Sequence, residues 1–221
     1  MPFDLAPIFA RYEALRAETD QVFAKLAAQF PDCVKCHKGC DSCCYALFDL
    51  SLVEAMYINQ AFSQAFDYGA KRSEILTKAS DIDRKLTRLK RDLYNQEKKG
   101  TSKEELMLEA AKLRMPCPLL NADQTCLLYE KRPITCRIYG IPTVIGQKAH
   151  VCGLSNFEPG QNYPTLKLDK IQARLEALSR EIAETVQSRF NELDQVYVPI
   201  SMALLTNYDE RYLGVGPQKE D

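Results

Sequence analysis

The sequence predicts a mainly α protein: a bundle of long, coiled-coil-like helices framing an irregular cysteine-rich core, with one small β-hairpin. Three observations predict it. Apolar residues recur at alternating four- and three-residue steps over long stretches. Ser-x-x-Glu signatures stand at the heads of two helical segments. Between the periodic stretches lie segments dense in Cys, Pro and Gly where no period holds. The chain has 221 residues, 46% of them hydrophobic, enough for a sizeable core in a single domain over 1–221.

The first thirty residues read as a helix. Ile8, Tyr12, Leu15, Val22 and Leu26, with Thr19 in the gap, make one apolar seam, and Pro31 ends it. A thiol-rich loop follows. A second helix opens at Asp49-Leu-Ser51, where Ser51 and Glu54 form a capping-box signature. Leu52, Ala55, Met56, Phe62 and Phe66 are its expected buried face, and Gly69 its expected end. From Ala70 to Lys99 the positions Ile75, Ala79, Ile82, Leu86, Leu89 and Leu93 trace a coiled-coil seam. Ser102 and Glu105 cap a return helix carrying Leu106, Ala110 and Leu113, so 70–114 reads as an inserted helical hairpin.

The stretch from Met115 to Pro164 holds four Cys and six Pro and reads as irregular. Ile138–Ile145 and Lys148–Val151, split by Gly146-Gln147, suggest the hairpin. C-terminal helices are expected over 166–213. The main one runs from about Asp169 to Phe190 on a face of Ile171, Leu175, Leu178, Ile182 and Val186, and a short one lies within Pro199–Leu213. The tail from Gly214 is expected to fray. On this plan the cysteine-rich core comprises 33–68 and 115–165.

The chemistry lies in nine thiols: Cys33, Cys36, Cys40, Cys43, Cys44, Cys117, Cys126, Cys136 and Cys152. Such density means disulfides or metal. Met1-Pro-Phe-Asp-Leu-Ala-Pro has no signal-peptide pattern, and no stretch approaches the ~20 apolar residues of a membrane span, so the expected location is cytoplasmic. Thiols stay reduced there, which favours metal, as does the odd count. Cys40-x2-Cys43 is the short chelating loop of zinc and iron–sulfur sites. The adjacent Cys44 would point to the other side of an extended segment, so the two thiols could serve different ions, or different irons of one cluster. Without Cys33, eight thiols remain, enough for two four-thiolate sites or for one cluster plus free thiols.

The ordered set Cys36-x2-Gly-Cys40-x2-Cys43-Cys44, Cys117-Pro-Leu-Leu120, and Cys126-Leu-Leu-Tyr129-Glu-Lys-Arg132-Pro133-Ile-Thr-Cys136-Arg137-Ile-Tyr139 resembles the YkgJ-type cysteine-cluster family of bacteria, a zinc- or iron-chelating domain with a CxxCxxCC core. The resemblance covers about Cys36 to Cys152 outside the hairpin. It implies metal binding. Larger relatives resemble flagellin lysine methylases, but no glycine-rich nucleotide loop follows a strand here. The departures are a three-residue gap between Cys36 and Cys40, the extra Cys33, and the insertion.

The metal ligands expected are therefore Cys36, Cys40, Cys43, Cys44, Cys117, Cys126, Cys136 and Cys152, and Cys33 is read as a bystander. An iron–sulfur cluster is preferred over zinc because of the adjacent thiols and the Cys-Pro step. His37 and His150, the only histidines, are read as exposed rather than as ligands. Arg132 and Arg137 flank Cys136; each is a structural ion pair or a countercharge for an anionic thiolate site, and with Tyr129 and Tyr139 they are the residues expected against a bound cofactor. The segment Lys71–Lys103 carries eleven Lys or Arg against five Asp or Glu, a solvated face or a dock for a protein partner. A net charge of −1 and the lack of interleaved aromatics disfavour nucleic acid. No nucleophile elbow, phosphate loop or HExxH motif is present. Function narrows to a metal-binding protein for redox or metal handling. The alternatives are a metal-dependent enzyme with a pocket beside Arg132, Arg137 and Tyr139, or a metal-stabilised adaptor.

Overall fold

The computed structural model describes residues 3–102, 105–106 and 113–216. Among them are six α-helices: α1 (Ala6–Gln29), α2 (Leu52–Ala65), α3 (Ala70–Lys98), α4 (Ile134–Ile138), α5 (Leu168–Thr185) and α6 (Ile200–Leu205). Five short strands accompany them: β1 (Asp49–Ser51), β2 (Thr143–Ile145), β3 (Lys148–His150), β4 (Leu166–Lys167) and β5 (Tyr197–Pro199). The protein is mainly α, as its sequence periods predict. No helix among the described residues is long and apolar enough to cross a membrane.

Helix α2 is the centre of the core. Leu52, Val53, Ala55, Met56, Ile58 and Phe62 are all buried, so it is covered on nearly every side rather than along one stripe. It packs on α1, α5 and α6. Its head is the expected capping box: the Ser51 amide and hydroxyl both donate to Glu54 Oε2, at 3.4 and 3.1 Å. Glu54 is fully enclosed and also accepts from the Ile134 amide at 3.1 Å and from the Tyr12 hydroxyl at 3.3 Å. One carboxylate thus ties together the starts of α2 and α4 and the middle of α1. Burial raises its pKa above the ordinary carboxylate value, against the hydrogen bonds that favour its charged form.

Several boundaries differ from the sequence expectation. Helix α2 ends at Ala65, and Gly69, at φ +94°, begins α3 instead of closing α2. Asp49–Ser51 is also a strand: it pairs antiparallel with β5, Leu50 opposite Val198. Residues 134–138 are a short helix, so the predicted hairpin starts at Thr143, not Ile138. Its turn has Gly146 at φ +51° and Gln147 at φ +68°, the two left-handed residues that a tight two-residue hairpin needs. β4 adds parallel to β2.

The proximal part of the α3 seam, Ile75 to Leu86, is buried, but its main described neighbour is α6. Ser102 and Glu105 form their reciprocal cap, and Leu106 is buried; the rest of the predicted return helix up to 112, Ala110 included, lies outside the described residues. Gly214–Gly216 is anchored rather than frayed: the Arg189 amide donates to Gly214 O at 3.0 Å and the Val215 amide to Glu210 O at 2.8 Å.

Candidate metal centre

All nine cysteines are free thiols. Eight of them, from five stretches of chain, line two neighbouring cavities. The first stretch turns on Gly39, at φ +97°, and then enters a 3-10 turn at Ser42–Tyr45. Three residues per turn set the Cys43 and Cys44 side chains about 120° apart, not on opposite sides as in an extended strand. The Cys117 amide donates to Cys44 O at 2.6 Å, which stitches the second stretch to the first. A bridge between Leu120 and Cys126 folds the third stretch back beside it. Helix α4 then carries Cys136 inward, buried with Ile134 and Ile138.

The thiols border two cavities. Cys43, Cys44, Cys117, Cys126 and Cys136 line an inner one of about 210 Å³. Its other walls are mostly apolar, from the α3 seam, Phe48 and Met115, and the exposed Lys90–Asp49 pair (3.0 Å) also lines it. Cys36, Cys40, Cys43 and Cys152 line an outer cavity of about 10 Å³ beside Tyr139. Cys43 is common to both. Gly140 lets the chain pass directly over Cys36: a Cβ there would lie 2.4 Å from Cys36 Cβ.

Electrostatics set the thiols apart. Hydrogen bonds from the Cys136 and Cys44 thiols lower the Cys43 pKa far below the usual thiol value, with Arg132 assisting. As donors to Cys43, Cys136 and Cys44 are pushed up, and burial adds to this. Burial, with the neighbouring Cys40 and Cys43, raises Cys36 to about 11, and burial raises Cys117 to about 12. Cys126 rises for the same reason as Cys117.

The two arginines separate. Arg137 is buried and structural: its Nη1 meets Asp20 Oδ2 at 2.6 Å, its Nε donates to Arg132 O at 2.9 Å, and Nη2 bonds Glu130 O. It borders neither cavity. Arg132 lines the inner cavity and lowers Cys36, Cys43 and Cys126 by its charge. It lies flat on the Tyr129 ring at 3.6 Å, with Nε donating to Tyr129 O at 2.9 Å. Tyr129 thus orients Arg132, whereas Tyr139 belongs to the outer group. Of the residues expected beside one pocket, Arg132 and Tyr139 thus line different cavities and Arg137 lines neither. Cys33 borders neither cavity; its carbonyl accepts from the Asn156 amide at 3.0 Å. His37 and His150 are exposed and line neither cavity.

Compared with known proteins, the chain matches no family model, no curated relative and no solved structure. The thiols carry the chemical argument by themselves. Among the described residues, no three Cys, His, Asp or Glu side chains are gathered as closely as around one ion. The donor set nonetheless suits a thiophilic metal: nearly all the ligand-type groups at the two cavities are sulfur, and the one carboxylate, Asp49, is paired with Lys90. Sequence reasoning missed Glu54 as the joint between helices, Gly140 as the seat of Cys36, and Asp20 as the partner of Arg137. Only the Ser51–Glu54 cap left a signal in the sequence.

Proposed function

We propose that this is a metal-binding protein of the cytoplasm whose cysteine core holds an iron–sulfur cluster, zinc, or both, for redox chemistry or metal handling. The observation that carries the reading is convergence. Five thiols from four stretches of chain line one cavity, and Arg132 beside them supplies countercharge. Buried thiols serving only to fill a core would have no need of such a charge. The resemblance of the same residues to the YkgJ-type cysteine-cluster family supports the reading, and membership of that family is part of the proposal. When bound, a cluster supplies electron transfer, and zinc supplies a rigid tetrahedral tie. The chain supplies the thiolates, an apolar wall that limits water, and Arg132 on its Tyr129 platform.

The test is purification without oxygen, followed by visible absorption, iron, zinc and acid-labile sulfide on one sample. Brown protein with stoichiometric iron and sulfide is the expected result. Colourless protein with stoichiometric zinc would narrow the reading to zinc. Protein with neither metal would end it.

A further inference from the structure

The inner cavity has a chemistry that its thiols do not explain. Most of the wall is apolar: the α3 seam contributes Ile82, Leu86, Leu89 and Leu93, and Phe48 and Met115 add to it. Apart from the thiols, Ser201 is the one uncharged polar side chain among the described residues there, and its hydroxyl donates to Asp83 Oδ1 at 3.4 Å. Three charged residues complete the lining. Lys90 and Asp49 pair with each other and are exposed. Arg132 donates from Nε to Tyr129 O, and neither of its Nη groups has a hydrogen-bond or salt-bridge partner among the described residues. We infer that this cavity binds a medium-chain carboxylate, with its head on the Arg132 guanidinium and its chain along the α3 seam. The inference goes beyond the metal-binding reading and does not depend on it.

Polar balance argues first. A pocket fixes a sugar, nucleotide or peptide through several placed donors and acceptors. This wall offers one engaged hydroxyl and two charges that neutralise each other, so a single cation is left to direct a ligand. One cation on an apolar wall matches an amphiphile with one anionic end. A guanidinium meets a carboxylate through two parallel N–H donors, and the Tyr129 ring beneath Arg132 fixes the plane of that fork.

Shape argues second. From Ile82 to Leu93, α3 rises about 16 Å at ~1.5 Å per residue, so the apolar wall is long. A dry apolar cavity of about 150 Å³ holds benzene, so one of about 210 Å³ has room for about eight carbons. A long wall beside a small volume suits a chain rather than a ring system. Charge argues third. The exposed Lys90 marks where the cavity reaches solvent, within the Lys71–Lys103 segment and its eleven Lys or Arg against five Asp or Glu. That excess draws an anion toward the mouth.

The test is calorimetric titration of the full chain with hexanoate, octanoate and octanol, with iron, zinc and sulfide measured on the same sample. One octanoate should bind per chain. Each buried carbon adds about fourfold in affinity, so hexanoate should bind about fifteenfold more weakly. Octanol, which lacks the charge, should bind at least tenfold more weakly than octanoate. Arg132→Leu should remove that preference by weakening octanoate at least tenfold, whereas Lys90→Ala should change octanoate binding less than threefold. The inference is overturned if wild type does not bind octanoate, if octanol binds equally well, or if Lys90→Ala has the effect expected of Arg132→Leu. For a variant that fails to fold, the three wild-type titrations decide. Metal without octanoate binding would overturn this inference and leave the metal-binding reading standing; octanoate binding without metal would do the reverse.

Discussion

Gly140→Ala is the sharpest probe of how the fold positions a thiol. An alanine Cβ would meet Cys36 Cβ at 2.4 Å, Cys36 Sγ at 3.3 Å and Phe23 Cε2 at 3.4 Å. Carbon atoms rest at about 3.5–4.0 Å, so Cys36 must retreat by roughly 1 Å or more. Overpacking of this kind costs about 1–3 kcal/mol. At about 2 kcal/mol, and about 2–4 °C per kcal/mol for a chain of this length, the melting temperature should drop by about 4–8 °C. The retreat also carries the Cys36 thiol away from Cys40 and Cys152, which line the same cavity, so metal content should fall. Gly153→Ala is the control, because nothing lies within 4 Å of its added Cβ. Calorimetry and metal analysis on the two variants read both effects. Unchanged melting and metal content in Gly140→Ala would show that the turn over Cys36 is not where the structure puts it.

The two arginines should part company. Arg137→Ala leaves Asp20 without its partner and two carbonyls short of donors, a loss of about 2–4 kcal/mol in urea unfolding. Arg132→Ala should cost under about 1 kcal/mol, as for other partly exposed positions, yet weaken metal retention; equal stability losses would contradict this division. Glu54 gives a pH signature. Burial raises its folded value above the ordinary 4.5, so the folded chain binds that proton more tightly than the unfolded chain. Its contribution is full below that ordinary value and is lost as pH rises through the raised one. Glu54→Gln keeps a capping amide that does not ionise. The wild-type urea midpoint should therefore fall relative to the variant as pH rises above the ordinary carboxylate value of 4.5, and a constant difference would refute the buried-carboxylate account.

Local signals were legible where the physics is local. The α1 seam from Ile8 to Leu26, the Ser51–Glu54 cap and the Gly146-Gln147 turn each depend on neighbours within a few residues, and each appears in the structure. The pairing of β1 with β5 was not legible: three residues beside a helix cap carry no period, and their partner lies almost 150 positions away. The enclosure of the first two turns of α2 was also hidden, because residues 52–58 are buried in an unbroken run and show no polar stripe. For Cys43 and Cys44, adjacency invited two different directions, but the angle between them came from a turn that residue spacing does not specify.

By itself the sequence determined that the chain is mainly helical, that sulfur is its dominant ligand chemistry, and which thiols travel together along the chain. Only the tertiary structure decided how those thiols are grouped: that Cys152 joins Cys36 and Cys40, that Cys126 joins Cys44, and that Arg132 rather than Arg137 faces them. The reason is that ligand chemistry belongs to the residue, whereas grouping depends on long-range packing. Helices α1 and α2, through Asp20 and Glu54, fix where α4 begins and where its arginine points, and no short window of sequence contains both ends of those contacts.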